Sequence, residues 1–156
     1  MSDREAQHLE PVWRDRSNFI IAADVSSYSD LVDREQLWAR QVGEDRFELC
    51  CIPFFLYDVA LGDTVETVAA GGRRYMLNRV VESSGRFVFR VWFGESFHPR
   101  RDIADELVGM GALVEWSSAN MFAVDAADEA HAQLVADVLL AHEQAGRLVY
   151  ETGRSA

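Results

Sequence analysis

The stretch RFVFRVWF, Arg86–Phe93, has the most apolar strand pattern in the sequence and determines the predicted fold. Successive side chains of a strand point to opposite sides. One side would carry Phe87, Phe89, Val91 and Phe93, and the other Val88, Arg90 and Trp92. Because both sides are largely apolar, both need cover, which is typical of a strand inside a sheet. We therefore predict that Arg86–Phe93 is a central strand with C-terminal helices across one side.

Before this strand, short alternating segments and turn residues predict an antiparallel β-unit over residues 18–85. The predicted strands are NFIIAADV (18–25), EQLWARQV (35–42), RFELCC (46–51), TVETV (64–68) and RYMLNRVVES (74–83). Residues 43–45 would turn the second strand into the third as a hairpin. We expect a small barrel or curled sheet. Residues 1–17 are charged and aperiodic, with Pro11 and Trp13 as anchors, and are predicted to be a flexible arm.

After Gly94 the apolar period becomes helical. His98-Pro99 would start a helix that ends near Gly109. Strands ALVEW (112–116) and MFAV (121–124) follow, and then a helix capped by Asp125 and stopped by Gly146. Its predicted apolar stripe comprises Ala127, His131, Leu134, Val135, Val138 and His142. With the last strand RLVYE (147–151), the order β-α-β-β-α-β over residues 86–152 predicts a ferredoxin-like half. The expected class is α+β in one compact unit, with residues 153–156 as a tail.

The composition limits the possible partners and location. The chain has 156 residues and a net charge of −11, from 15 Lys and Arg against 26 Asp and Glu. A chain this acidic, without a basic stripe, is a poor candidate for binding nucleic acid or an anionic membrane. No apolar run approaches the roughly 20 residues of a membrane span, and the charged N-terminus is unlike a signal peptide. We predict a cytoplasmic protein, with a basic protein partner or solubility as the reason for its charge.

Several short motifs resemble a known bacterial family. The family pattern has Glu, then Leu-Trp-Ala, then Asn-Ile-Pro-Phe, then Gly-Asp. The corresponding residues here are Glu35, Leu37, Trp38, Ala39, Ile52, Pro53, Phe54, Gly62 and Asp63. Gly85, Glu115 and Ala123–Asp125 are also similar. The chain thus resembles the uncharacterised domain of unknown function 4265 over residues 18–150, although Cys51 stands where that family usually has Asn. The resemblance implies a bacterial cytoplasmic protein and supplies no reaction.

Two residue types suggest chemistry without forming a site. Cys50 and Cys51 have no His, Lys or Arg neighbour in sequence that would activate a thiol, so we expect reduced structural cysteines, one buried and its neighbour on the opposite face. His131 and His142 share a helical stripe, but they lie about 16 Å apart along the axis and cannot ligate one zinc ion. No phosphate loop or nucleophile elbow is present. We predict no metal, no cofactor and no catalytic residues.

Two groups remain as candidate binding residues. Stacked Arg and Trp side chains can form a recognition surface, or their stems can simply cover a sheet face. The residues in question are Trp38, Arg40, Arg79, Arg90 and Trp92. The second group lies near the predicted junction of the two halves: Cys51, Pro53, Phe54 and Asp63. Glu35, Asp58 and Asp63 flank the same turns, where carboxylates can do acid and base work or only shape a turn.

Three functions are compatible with these patterns. The first is a non-catalytic binding module, such as an immunity or regulatory protein, that meets a protein partner through its acidic surface. The alternative is a small-molecule binder or enzyme that uses a cleft between the two halves. A third is an oligomeric structural protein that uses an exposed sheet edge. The oligomeric state itself is not predicted.

Overall fold

The computed structural model describes residues 4–94 and 100–154, which form two sheets. The first sheet has six strands. Five of them close into a barrel, because the third and fourth strands in chain order also pair with each other. Alternating apolar residues place its core inside the barrel. The strands are β1 (Glu5–Ala6), β2 (Phe19–Asp24), β3 (Arg34–Gly43), β4 (Arg46–Leu49), β5 (Thr64–Ala70) and β6 (Arg73–Glu82), in the order β1-β3-β2-β6-β5-β4.

The barrel confirms the predicted β-unit with one difference in strand direction. The predicted hairpin is present as β3 and β4, which pair antiparallel from Ala39 and Leu49 to Gly43 and Arg46. The difference is a parallel contact of β2 with β6, through Ala22 and Met76. The barrel core is built from alternating residues of its strands, including Ile21, Ala23, Leu37, Ala39, Phe47, Leu49 and Val65.

The second sheet has four antiparallel strands, and it carries the C-terminal helices on one face. Its strands are β7 (Phe87–Trp92), β8 (Leu113–Ser118), β9 (Met121–Ala126) and β10 (Val149–Thr152), in the order β10-β7-β9-β8. Helices α1 (Arg100–Gly109) and α2 (Glu129–Gln144) pack on this sheet. Neither described helix combines the length and apolarity needed to cross a bilayer. The mixed α+β class is therefore confirmed.

Strand β7 is interior, as predicted. It lies between β10 and β9, and both of its sides are covered. Phe89 and Val91 face the helices, where they pack with Leu107 and Val135. Val88 faces the other way, in a cluster that joins the second sheet to the loop after β4. The two sheets consequently meet across β7.

Two details of the second helix differ from the prediction. The helix is capped by Asp128, whose side chain accepts a hydrogen bond from the N–H of His131. Asp125 cannot be the cap because it lies in β9, buried and paired with Arg86. The buried stripe comprises Ala132, Val135 and Leu139, whereas the predicted Leu134 is exposed. The predicted helix start at His98-Pro99 lies outside the described residues.

Residues 4–17, here called the strap, are packed against both sheets where the sequence predicted a flexible arm. Strand β1 pairs parallel with β3, opposite Arg34 and Glu35. Further along, Trp13 donates its N–H to the carbonyl of Cys50, and a short 3₁₀ helix (Arg14–Arg16) ends the strap. The difference arises because Val12 and Trp13 pack against an apolar cluster, and Pro11 and His8 are buried, so the core holds the middle of this charged segment.

Candidate functional site: a buried charged triad and a junction pocket

The most unusual group in the structure is a buried triad of ionisable side chains, His8, Glu35 and Glu115. The strap carries His8, β3 carries Glu35, and β8 carries Glu115. Their exposed fractions are 2%, 0% and 3%. The His8 ring lies between the two carboxylates, with Nε2 2.7 Å from Oε2 of Glu35 and Nδ1 2.8 Å from Oε1 of Glu115. The triad therefore joins three separate parts of the chain.

The loop after β4, residues 50–63, supplies backbone donors to the same carboxylates. The N–H groups of Phe54 and Phe55 donate to Glu35 at 2.7 and 2.9 Å. The N–H of Ile52 donates to Oε2 of Glu115 at 2.5 Å. Because Pro53 holds this loop extended, its neighbours face the carboxylates instead of a strand. Both carboxylates are thus anchored independently of His8.

The electrostatics of the triad favour the charged forms of His8 and Glu35. Burial would lower the pKa of His8, but contacts with Cys51, Glu115 and Glu35 outweigh it and raise that pKa well above 6.5. Burial would raise the pKa of Glu35, but His8 and the N–H groups of Phe54 and Phe55 lower it overall. Both ring nitrogens face a carboxylate, so both are donors and the ring is an imidazolium. One imidazolium thus contacts two buried acidic side chains.

The aromatic ring of Phe54 completes this environment. It stacks on the imidazolium of His8, with the ring centroids 3.9 Å apart and the planes 8° apart. A cation over an aromatic face is attracted by the ring quadrupole, and more strongly when both are desolvated. Phe54 is itself 1% exposed. The site is therefore shaped for a flat cation.

The two cysteines are both free and both buried, so the neighbour of the predicted buried thiol is buried as well. Burial raises the pKa of Cys50 to about 11. Burial also raises the pKa of Cys51, although the neighbouring His8 opposes that shift. Both are therefore thiols at neutral pH, and neither is reachable by a substrate. Their reduced state is consistent with structural roles.

Arg90 on β7 extends the triad into a longer series of charges. It is 1% exposed, and burial lowers its pKa while Glu35 is the largest influence that raises it. Its guanidinium donates to the carbonyl of Leu56 and lies 3.7 Å from the carboxylate of Glu151. Glu151 in turn accepts a hydrogen bond from the hydroxyl of Tyr57. Anions and cations thus alternate from Glu115, through the triad, to β10.

A pocket of about 430 Å³ lies at the junction of the two sheets, away from the triad. Its charged rim includes Arg86 and Arg154, and its apolar wall includes Phe87. Arg86 pairs with Asp125, which raises the pKa of Arg86. Arg154 lies over the ring of Phe87, 4.7 Å from its centroid, and no carboxylate among the described residues pairs with it. The remaining lining residues are Asp58, Val59, Ala60, Asp63, Ser83, Val88, Phe89, Thr152 and Gly153.

The structure distributes the predicted Arg and Trp residues over different surfaces. Trp38 and Arg40 lie on β3, where Arg14 stacks on Trp38 and Arg40 approaches Glu48. Arg79 lies on β6, which does not neighbour β3, and pairs with Glu66. Arg90 and Trp92 belong to the other sheet, facing the junction. They do not form one recognition surface.

The predicted junction residues divide between the two features just described. Cys51 and Phe54 contact the triad, and Pro53 shapes the loop that anchors it. Asp63 instead lines the pocket, with its carboxylate accepting hydrogen bonds from the N–H groups of Ala60 and Ser84. Asp63 is thus engaged in turn chemistry. Asp58 also borders the pocket, with a left-handed φ of 65°.

The histidines of α2 are engaged in other contacts. Nδ1 of His131 accepts from the N–H of Ala127, and its Nε2 lies 3.0 Å from the carbonyl of Met110. His142 lies 2.7 Å from Glu106, which ties α2 to α1. Within residues 4–94 and 100–154, no group of three or more His, Cys, Asp or Glu side chains is arranged to hold a metal ion.

Sequence reasoning missed His8 altogether and did not connect Glu35 with Glu115. A signal for Glu35 was present, because it alternates with Leu37 and Ala39 and so lies on the core side of its strand. A signal for the strap was the pair of anchors Pro11 and Trp13, which follow His8 closely. Nothing local indicates that His8 and Glu115 meet, since 107 residues separate them.

Comparisons with known proteins agree with this architecture. The chain is similar to a solved structure described as a hypothetical protein from Neisseria gonorrhoeae, with a TM-score of 0.71 and 18% identity over 86% of this chain and 93% of the other. At that identity the likeness concerns the fold. No protein in the curated comparison matches the chain. The family described as "Domain of unknown function (DUF4265)" matches residues 35–150, a segment that contains both carboxylates of the triad, and the chain belongs to that family.

Proposed function

We propose that this chain is a non-catalytic cytoplasmic binding module, of immunity or regulatory type, that meets a basic protein partner through its two helices. The supporting observation is the charge of their outer surface. Among the residues that the structure describes, the exposed carboxylates on or next to α1 and α2 are Asp102, Asp105, Glu106, Asp128, Glu129 and Asp137, against one exposed cation, Arg101. Such a surface attracts a basic partner and repels acidic ones.

A further observation supports a binding role over catalysis. The triad is the group of side chains that most resembles a catalytic set. Its members are at most 3% exposed. A substrate would have to reach it through packed side chains. Binding through the helices needs no such access, because their outer surface is exposed.

The proposal treats residues 18–85 and 86–152 as two halves of one compact unit, the second of them ferredoxin-like. The strand order β10-β7-β9-β8 and the two helices on one face support that assignment. In this arrangement the barrel leaves the outer helical face uncovered for a partner.

A salt-dependent capture experiment tests the function. The purified chain is immobilised and exposed to bacterial extract, with Asp105→Asn/Asp137→Asn as the test variant. Glu44→Gln/Asp45→Asn, in the exposed turn after β3, removes the same charge elsewhere. We expect the wild type and the control to retain the same basic protein, and the test variant to lose it by at least about tenfold. Equal capture by all three, or repeated capture of nothing, contradicts the proposal.

A second candidate function is the binding of a small anionic ligand in the junction pocket. The observation that favours it is Arg154, whose guanidinium borders a pocket of about 430 Å³ without a carboxylate partner in the described chain. The pocket's size is within the range of ligand sites. Phe87 beside it would suit an apolar group attached to the anion.

Titration with benzoate and with phosphate, followed by NMR, tests this candidate. We expect benzoate to shift the signals of Gly153 and Arg86, and Arg154→Gln to abolish the shift. Arg101→Gln, on the exposed side of α1, serves as the matched control. Shifts that are equal in both variants, or absent in the wild type, count against an anion site at this junction.

A further inference from the structure

The surroundings of the His8 ring are complete without the strap. Glu35 is held by the N–H groups of Phe54 and Phe55, and Glu115 by that of Ile52. Phe54 provides the flat surface under the ring. These groups come from β3, the loop after β4 and β8, so the folded core alone fixes the positions of both carboxylates. His8 enters this site as a ligand would, through two N–H donors on opposite edges of a ring.

Several kinds of contact hold the strap that carries His8. Its backbone pairs with β3 and also donates from Trp13 to the carbonyl of Cys50. Its charged side chains other than His8 are partly or largely exposed: Glu5, which pairs with Arg34 and Arg73, is 17% exposed, and Arg4 and Arg16 are 53% and 50% exposed. Exposed ion pairs contribute only about 0.2–1 kcal/mol each. His8 is thus the one fully buried charged side chain of the strap.

The charge of the two carboxylates also calls for a partner. Two buried carboxylates without a cation would be strongly unfavourable, so the core requires some cation at this position.

We propose that Glu35, Glu115 and Phe54 form a receptor for a planar cation, and that His8 is its internal, displaceable ligand. Release of the strap opens the receptor to the imidazolium or guanidinium group of a protein partner's histidine or arginine. The two carboxylates select for charge and for donors on opposite edges, and Phe54 selects for a flat shape. This inference is independent of the helical surface proposed above.

Removal of the ring and its replacement by a free one tests the receptor. The variant His8→Gly leaves a cavity of the shape of an imidazole in the full chain. We expect imidazole near neutral pH to raise the melting temperature of His8→Gly in a saturable way and to leave the wild type unchanged. Thiazole, a ring of the same size without an N–H donor, should have no such effect.

Two controls define the result. Leu9→Gly changes the adjacent exposed strap residue, and imidazole should not stabilise it. In His8→Gly/Glu35→Gln, the affinity for imidazole should fall at least about tenfold, because one carboxylate is gone. If His8→Gly is unfolded by itself, imidazole should restore its circular dichroism while thiazole does not. Equal effects of both rings, or of neither, overturn the receptor.

Hydrogen exchange of the wild-type protein tests whether the strap is displaceable. The N–H of Trp13, which donates to the carbonyl of Cys50, reports on the strap, and that of Val91 on the central strand. We expect the Trp13 amide to exchange at least about tenfold faster, through local opening that leaves β7 protected. Equal protection at both amides would mean that the strap is released only by global unfolding, and would contradict displacement.

Discussion

The Nε2 atom of His8 lies 2.7 Å from Oε2 of Glu35, and solvent reaches neither side chain. This contact links the strap to the barrel, and Nδ1 of the same ring links it to the second sheet through Glu115. Each partner of a buried ion pair depends on the other, because a charge left alone in the interior is strongly unfavourable. Four predictions follow from the triad and the loop that anchors it.

Glu35→Gln should destabilise the protein by about 3–5 kcal/mol, because it leaves the imidazolium of His8 with one carboxylate and removes an anchored charge. Chemical denaturation measures the free energy of unfolding. Glu82→Gln, at an exposed position of β6, is the matched control and should change it by less than about 0.5 kcal/mol. Similar losses of unfolding free energy in both variants would show that Glu35 contributes no more to stability than an exposed carboxylate.

Stability should be greatest at mildly acidic pH. The pKa of Glu35 is lowered from 4.5 in the folded protein, so its contribution is complete above about pH 4.5 and is lost as pH falls through the folded value. The pKa of His8 is raised above 6.5, so its contribution is complete below about pH 6.5 and is lost as pH rises through the folded value. Denaturation series from pH 3 to 10, an interval of about seven units, should show this window. Glu35→Gln should reduce the loss in the free energy of unfolding as the pH falls below about 4.5. An unchanged loss in that variant would contradict the role of Glu35 in the acid part of the profile.

Thiol reagents should modify the native protein slowly. The pKa of Cys50 is raised to about 11, and Cys51 is fully buried with its pKa also raised. Since the thiolate is the reactive form, we expect both cysteines to react with Ellman's reagent at pH 7 at least about a hundredfold more slowly than in denaturant. Cys50→Ser separates the two rates. Rapid reaction of Cys51 in the native protein would mean that the triad region opens readily.

Asp63→Ala should cost about 1–3 kcal/mol, because its carboxylate accepts from the N–H groups of Ala60 and Ser84, and those donors would lose their partner. Thermal unfolding measures the loss. Asp45→Ala, in the exposed turn between β3 and β4, is the control and should have little effect. An Asp63 variant as stable as the control would indicate that water replaces the carboxylate.

How far the sequence predicts this structure depends on the range of the interactions involved. The pattern of Phe87, Phe89 and Val91 is local, and it predicted an interior strand covered by helices because alternation directly reports two apolar faces. The cap of α2 was displaced by three residues, from Asp125 to Asp128, because the apolar strand before it continues through Ala126. Short polar residues near a boundary compete for the cap, and sheet pairing decides among them.

The candidate site was less predictable than the fold. Cys51 and Phe54 are predicted binding residues because they lie near the junction, and the structure places both against His8. The sequence places His8 in a predicted flexible arm, because a single histidine in a charged segment has no periodicity to reveal its burial. Its partners are 27 and 107 residues away, and only tertiary folding brings them together.

The span from His8 to Glu115 also has a consequence for biosynthesis. During translation the histidine leaves the ribosome first, and its second carboxylate follows 107 residues later. A nascent chain therefore cannot complete the ionic contact until β8, which carries Glu115, has emerged. Until then His8 can meet only Glu35, and docking of the second sheet supplies the second carboxylate.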